Sequence, residues 1–150
     1  MENPSSKTKL RLTVLGTGYL GITHAACMAS LGFKVLGVDT DAGKVEQLNA
    51  GKLPIYEPGL TELLRGGLDS GRLAFTTSYP RVAAFGDVHF ICAGTPPQPG
   101  SNHADLSQVY ECITSLAPLL DDRPCLVVGK STVPVGTARR LAEELAHQHE

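Results

Sequence analysis

Three glycines, Gly16, Gly18 and Gly21, stand in the run G-T-G-Y-L-G, directly after a short apolar segment and directly before a helix-like one. Spaced in this way, they suit one kind of chemistry. The first makes a tight turn, the second lets the backbone approach a ligand with no side chain between them, and the third lets helix and strand pack closely. The helix start then presents free N–H groups and a partial positive charge, which suits a pyrophosphate. Alone, such a run is as often an ordinary glycine-rich turn. Asp39, eighteen residues past Gly21, sharpens the reading, because a carboxylate near that distance takes the ribose hydroxyls of a dinucleotide. The same charge would repel a 2′-phosphate and so favours NAD over NADP. Lys44 tempers this, since its ammonium could reach ribose or phosphates, or simply be solvated. The bland alternative for Asp39 is a turn or cap residue, a job that Asp41 could do instead.

The other chemistry-bearing residues are scattered. Cys27, Cys92, Cys112 and Cys125 are widely spaced in apolar stretches without a C-x-x-C pair, so buried free thiols are expected rather than disulfides or zinc ligands. The five histidines show no metal spacing, and His147 and His149 belong to a terminal helix end or tail. No metal site is expected. Tyr56 and Glu57 lie in Lys52 to Leu60, where two prolines and a glycine predict a rigid, shaped connection that could wall a site or be an ordinary turn.

These residues need a frame. Leu10 to Leu15 reads as a buried strand, Tyr19 to Leu31 as a helix with small residues Ala25, Ala26 and Ala29 and a terminating Gly32, and Lys34 to Val38 as a second strand. A helix from about Asp41 to Ala50 turns Val45 and Leu48 inward, and a short helix ends near Gly66 and Gly67. Leu73 to Thr76 is a weak third strand, Pro80 to Phe85 a helical turn, and Val88 to Cys92 a fourth strand. After the loop Ala93 to Asp105, Asp105 and Gln108 have capping-box spacing. Leu106, Val109, Ile113, Leu116 and Leu120 then predict a packed helix ending around Asp121, followed by a fifth strand, Cys125 to Val128. A last helix begins at Thr137, with Ala138, Leu141, Ala142 and Leu145 as its apolar stripe and Glu143 and Glu144 outward. Strands and helices alternating at this pitch predict an α/β fold, a doubly wound parallel sheet with helices on both faces.

The chain has 150 residues, a net charge of -2 and 42% hydrophobic residues. That balance suits a packed domain and gives no electrostatic footprint for nucleic acid or an anionic membrane. Met1 to Lys9 is polar and reads as a disordered tail without a signal-peptide core, and no apolar run approaches a membrane span, so a cytoplasmic setting is expected. Residues 10 to 150 form the expected folded domain.

Five segments carry a more specific signal: GTGYLG, VDTD (Val38 to Asp41), LPIYEPGL (Leu53 to Leu60), AGTP (Ala93 to Pro96) and GKSTVPVGT (Gly129 to Thr137). Their order and spacing resemble the NAD-binding domain of the nucleotide-sugar dehydrogenases, the UDP-glucose/GDP-mannose dehydrogenase family, from about Leu10 onward. The YEPGL and KSTVP segments are far more diagnostic than the glycines. The resemblance implies a Rossmann-type sheet, with NAD held by Gly16, Gly18, Tyr19, Leu20, Gly21, Asp39, Lys44, Thr95 and Ser131, and Thr132 helping to position a catalytic water. Capping a turn before Pro134 is the alternative, less favoured role for Thr132. Thr95 and Ser131 also follow the carboxyl ends of strands four and five, where ligands bind in open α/β sheets. The family oxidises a sugar C6 alcohol to a carboxylate in two NAD-dependent steps through a cysteine thiohemiacetal. None of the four cysteines here matches that residue, which the resemblance locates beyond this chain, as it does a sixth strand. It further implies UDP-glucose as substrate, with GDP-mannose or a UDP-N-acetyl sugar as alternatives, and a homodimeric full-length enzyme. A stand-alone NAD-binding module is the competing reading.

Overall fold

The computed structural model describes residues 10–148. The tail expected over residues 1–9, and His149, lie outside them. Strands β1 (Arg11–Leu15), β2 (Lys34–Val38), β3 (Leu73–Thr76), β4 (Val88–Ile91) and β5 (Leu126–Gly129) form one sheet in the order β3-β2-β1-β4-β5, with every pair parallel. The helices are α1 (Tyr19–Ser30), α2 (Ala42–Asn49), α3 (Leu60–Asp69), α4 (Tyr79–Phe85), α5 (Ser107–Leu116) and α6 (Thr137–His147). The weak third strand is present, and it forms one edge of the sheet.

Side chains alternate across each strand, so β1 feeds two cores. Leu12 and Val14 join Ile22, Val45, Leu48 and Leu64 from α1, α2 and α3 on one face. Leu15 joins Val82, Ile113, Leu116 and Leu141 from α4, α5 and α6 on the other. Each fully buried Leu or Ile of this kind contributes roughly 1.5–3 kcal/mol, and the two layers explain why the sheet needs no polar face.

Local signals fix the helix ends near the site. Gly32, at φ +97°, gives its N–H to Ala29, while Phe33 gives its own to Met28, a left-handed stop that returns the chain at once into β2. Asp41 caps α2 by accepting the Lys44 N–H at 3.0 Å.

Three expectations need correction. The capping box does not form: Asp105 accepts the N–H of Ser107, but its own N–H goes to Pro96, so the loop rather than Gln108 satisfies it. The helix after it is α-helical only to Leu116 and tightens to a 3-10 turn over Ala117–Leu119, where Pro118 cannot donate to an α-helical ladder. On α6, Thr137 and Leu141 are buried but Ala138 and Ala142 are exposed, and Glu144 is half-buried. That helix packs on α5 at the β5 edge of the sheet, where Leu141 joins the second core, so part of its stripe is left uncovered.

Candidate functional site

A cleft of about 470 Å³ opens at the carboxyl ends of β1, β2 and β4. This is where the strand order reverses, with β2 on one side of β1 and β4 on the other, the position at which an open α/β sheet leaves a crevice. Its floor is Gly16, Thr17 and Gly18; Val38, Asp39, Thr40 and Lys44 form one wall, Ala93, Gly94 and α5 the other.

The glycines do three different jobs. Gly16 turns at φ +95°, and a Cβ there would meet Ala93 backbone at 3.0 Å. A Cβ on Gly18 would meet nothing within 4 Å, so the backbone faces open space in the cleft. Gly21 is buried, and a Cβ there would collide with the Gly16 carbonyl, which makes it a packing residue rather than a cleft residue. The first intrahelical bond of α1 runs from Ile22 N–H to the Gly18 carbonyl. Tyr19, Leu20 and Gly21 precede it, so their N–H groups remain for an anion at the helix start. The side chains of Tyr19 and Leu20 do not line the cleft, and the Tyr19 hydroxyl donates instead to Glu57 at 2.7 Å. Glu57 thus ties the rigid YEPGL connection to α1, while Tyr56 is 90% exposed.

Asp39 is the electrostatic centre. Its Oδ2 accepts the Thr17 hydroxyl at 2.6 Å, the Thr17 N–H at 3.1 Å and the Lys44 ammonium at 3.3 Å, while Oδ1 accepts the Asp41 N–H at 3.0 Å. Burial by itself pushes the Asp39 carboxyl up. The Thr17 hydroxyl, the two N–H groups and Lys44 outweigh that and hold it below its ordinary value, so it is anionic at neutral pH. An anion flanked by one cation fits a neutral diol that can donate to it, and not a second anion.

Thr95, Ser131 and Thr132 lie past the ends of β4 and β5 and are not part of the cleft lining. The Ser131 hydroxyl donates to the Ala93 carbonyl at 2.7 Å, and Thr95 donates to the Thr132 carbonyl at 2.9 Å. These bonds hold the two loops together as one ledge beside the cleft, with the Thr132 side chain exposed.

The cysteines differ from the expectation of four buried thiols. Cys92 and Cys112 are buried and line the cleft, Cys27 is half-buried, and Cys125 is exposed because β5 is an edge. Burial pushes the Cys92 thiol up to about 11, the opposite of what a nucleophile needs. No group of residues with metal-ligand geometry occurs among the described residues.

Sequence reasoning passed over Thr17, Tyr79, Gln108, Glu111 and Ser115, all in the cleft. The available signals were slight: a hydroxyl between two glycines, and polar positions on the α5 face next to its apolar stripe.

A family model described as the UDP-glucose/GDP-mannose dehydrogenase family, NAD binding domain, matches residues 10–150. The chain belongs to that family, as its NAD-binding domain. The UDP-glucose 6-dehydrogenase of Pseudomonas aeruginosa is 47% identical to the domain over 135 residues, 89% of this chain and 29% of that protein. A solved UDP-glucose dehydrogenase from Pyrobaculum islandicum superimposes on the domain with a TM-score of 0.90 at 41% identity, covering 99% of this chain and 35% of that one. The GDP-mannose dehydrogenase of Pseudomonas aeruginosa, solved as a ternary complex, gives 0.88 at 33% identity over 93% of this chain and 32% of that one. The domain therefore spans 29% of the length of that curated relative. No described helix is long and apolar enough to cross a membrane.

Proposed function

We propose that this domain holds NAD for a nucleotide-sugar 6-dehydrogenase that converts UDP-glucose to UDP-glucuronate, in a cytoplasmic, homodimeric enzyme that feeds polysaccharide synthesis. The observation that carries the cofactor part is the anionic, fully oriented Asp39 beside the open backbone of Gly18 at the sheet's switch point. In this reading Asp39 accepts the ribose hydroxyls, and the N–H groups of Tyr19, Leu20 and Gly21 face the pyrophosphate. Lys44 balances charge at the rim. The ledge of Thr95 and Ser131 holds the nicotinamide half, and Thr132 orients a water at the reacting carbon. A Thr hydroxyl suits that work because it donates and accepts at once. Bound NAD supplies the hydride acceptor.

Naming of the relatives supports UDP-glucose as the sugar nucleotide, and the lower identity to the GDP-mannose enzyme supports it further. The nucleophilic thiol is assigned to residues outside this chain, since Cys92 and Cys112 are buried groups with raised pKa and Cys27 and Cys125 do not line the cleft. Titration of the chain with NAD, followed by incubation with UDP-glucose and NAD, tests both halves of the reading. Saturable binding without NADH formation is expected. Failure to bind NAD would sink the first half, and NADH production by the chain alone the second.

A further inference from the structure

Thr17 fills the position between the first two glycines, where the glycine turn makes no demand on the side chain. Here that side chain is nearly inaccessible, at 1% exposure, and it sends both of its donors to one oxygen of Asp39. Its hydroxyl bond, 2.6 Å, is the shortest that Asp39 receives. The methyl group is held as well: Thr17 Cγ2 lies over Gly37, within 3.5 Å of where a Cβ would stand. A β-branched residue with its methyl packed and its hydroxyl bonded has one rotamer left.

The consequence falls on the carboxylate. Its two oxygens offer about four lone-pair sites in all. Oδ2 has its sites filled by Thr17 and faces Lys44, whereas Oδ1 takes only the Asp41 N–H. Oδ1 is therefore the oxygen left open to a donor from the cleft. Without the Thr17 hydroxyl, Oδ2 keeps only the longer bonds from the Thr17 N–H at 3.1 Å and Lys44 at 3.3 Å, so the carboxylate is free to turn about its Asp41 contact away from an incoming phosphate, and Lys44 is left to receive it.

We propose that the Thr17 hydroxyl is the positioning group that sets cofactor selectivity, fixing Asp39 in the one orientation that accepts a ribose diol and refuses a 2′-phosphate. The proposal rests on Asp39 being the ribose acceptor.

The test uses the 150-residue chain, titrated with NAD and, by displacement of NAD, with NADP, beside thermal melts of every variant. Thr17→Val keeps the shape and loses the hydroxyl; it should weaken NAD about tenfold and narrow the NAD-over-NADP preference by at least tenfold, the scale of one hydrogen bond to a charged group. Thr17→Ser keeps the hydroxyl and should hold the preference within about threefold of the parent. Should Thr17→Val melt below the assay temperature, Thr17→Ala gives the same comparison against Thr17→Ser. An unchanged preference in the variant without the hydroxyl overturns the proposal, and so does an equal loss in Thr17→Ser, which would mean that the methyl packing matters instead. Asp39→Asn separates the two levels. If it leaves NAD affinity and preference intact, the ribose reading of Asp39 fails and the Thr17 inference with it; if it abolishes the preference while Thr17→Val does not, the Thr17 inference alone fails.

Discussion

The Lys44 ammonium stands 3.3 Å from Asp39 Oδ2, so a cation on α2 and an anion at the end of β2 neutralise each other at the mouth of the cleft. Both are partly shielded, at 30% and 14% exposure, yet the pair still reaches water, and its contribution to stability is at most about 1 kcal/mol. In the proposed reading its role is charge selection. Lys44→Ala should leave the melting temperature nearly unchanged, weaken NADP by more than tenfold, and alter NAD by only about threefold. Titrations at low and moderate salt would check it, and an equal loss for both dinucleotides would show that Lys44 touches a group they share.

The second and third glycines of the fingerprint should separate cleanly by mutation. Gly18→Ala adds a methyl to open space and should keep the fold, while NAD affinity falls by at least tenfold because the methyl occupies the line of approach. Gly21→Ala drives a methyl into the Gly16 carbonyl and should cost about 3 kcal/mol or prevent folding. Melting curves beside NAD titrations of the two proteins distinguish the cases.

His89 makes stability fall in acid. The ring is buried in β4, its Nδ1 2.6 Å from the Thr13 hydroxyl, and its Nε2 has no partner. Burial, helped by the Arg123 charge and opposed by Asp87, lowers its pKa from 6.5 to about 4. Between those two values only the unfolded chain takes up the proton. Stability is therefore complete above pH 6.5, declines as pH falls toward about 4, and loses nothing more from this group below that. The full effect is about 3 kcal/mol. His24, also lowered by burial first and by Lys130 second, adds in the same direction. Urea midpoints measured from pH 7.5 to 4 should show the decline, and His89→Gln should flatten it.

Thiol chemistry should follow exposure. Cys125 should react first with an aromatic disulfide reagent, Cys27 more slowly, and Cys92 and Cys112 only on unfolding. Rapid modification of all four thiols in the native chain would contradict the burial described.

Much of this arrangement was legible in the residues. G-T-G-Y-L-G between an apolar run and a helix pattern located the turn, and the position of Asp39 located the opposing carboxylate, because both signals are short-range and carry their own geometry. The far wall was not legible. Gln108, Glu111 and Ser115 reach the cleft only because β4 inserts beside β1 and carries α5 with it, a relationship between distant segments that no local spacing encodes. Asp105 misled for a related reason: the loop supplied the partner that a capping box would have found within the helix. The stripe on α6 was read from periodicity, which reports an amphipathic helix but not how much of it a neighbour covers.

The seam between β1 and β4 joins residues 76 apart, as in the Thr13–His89 contact. A ribosome emits the glycine turn and Asp39 long before it emits the strand that completes the crevice. Until then the early half can display the fingerprint but has no opposite bank to close around a dinucleotide. NAD added during synthesis should thus act late, selecting chains in which the two halves have already met, and should raise the yield of folded protein without hastening the first steps of collapse.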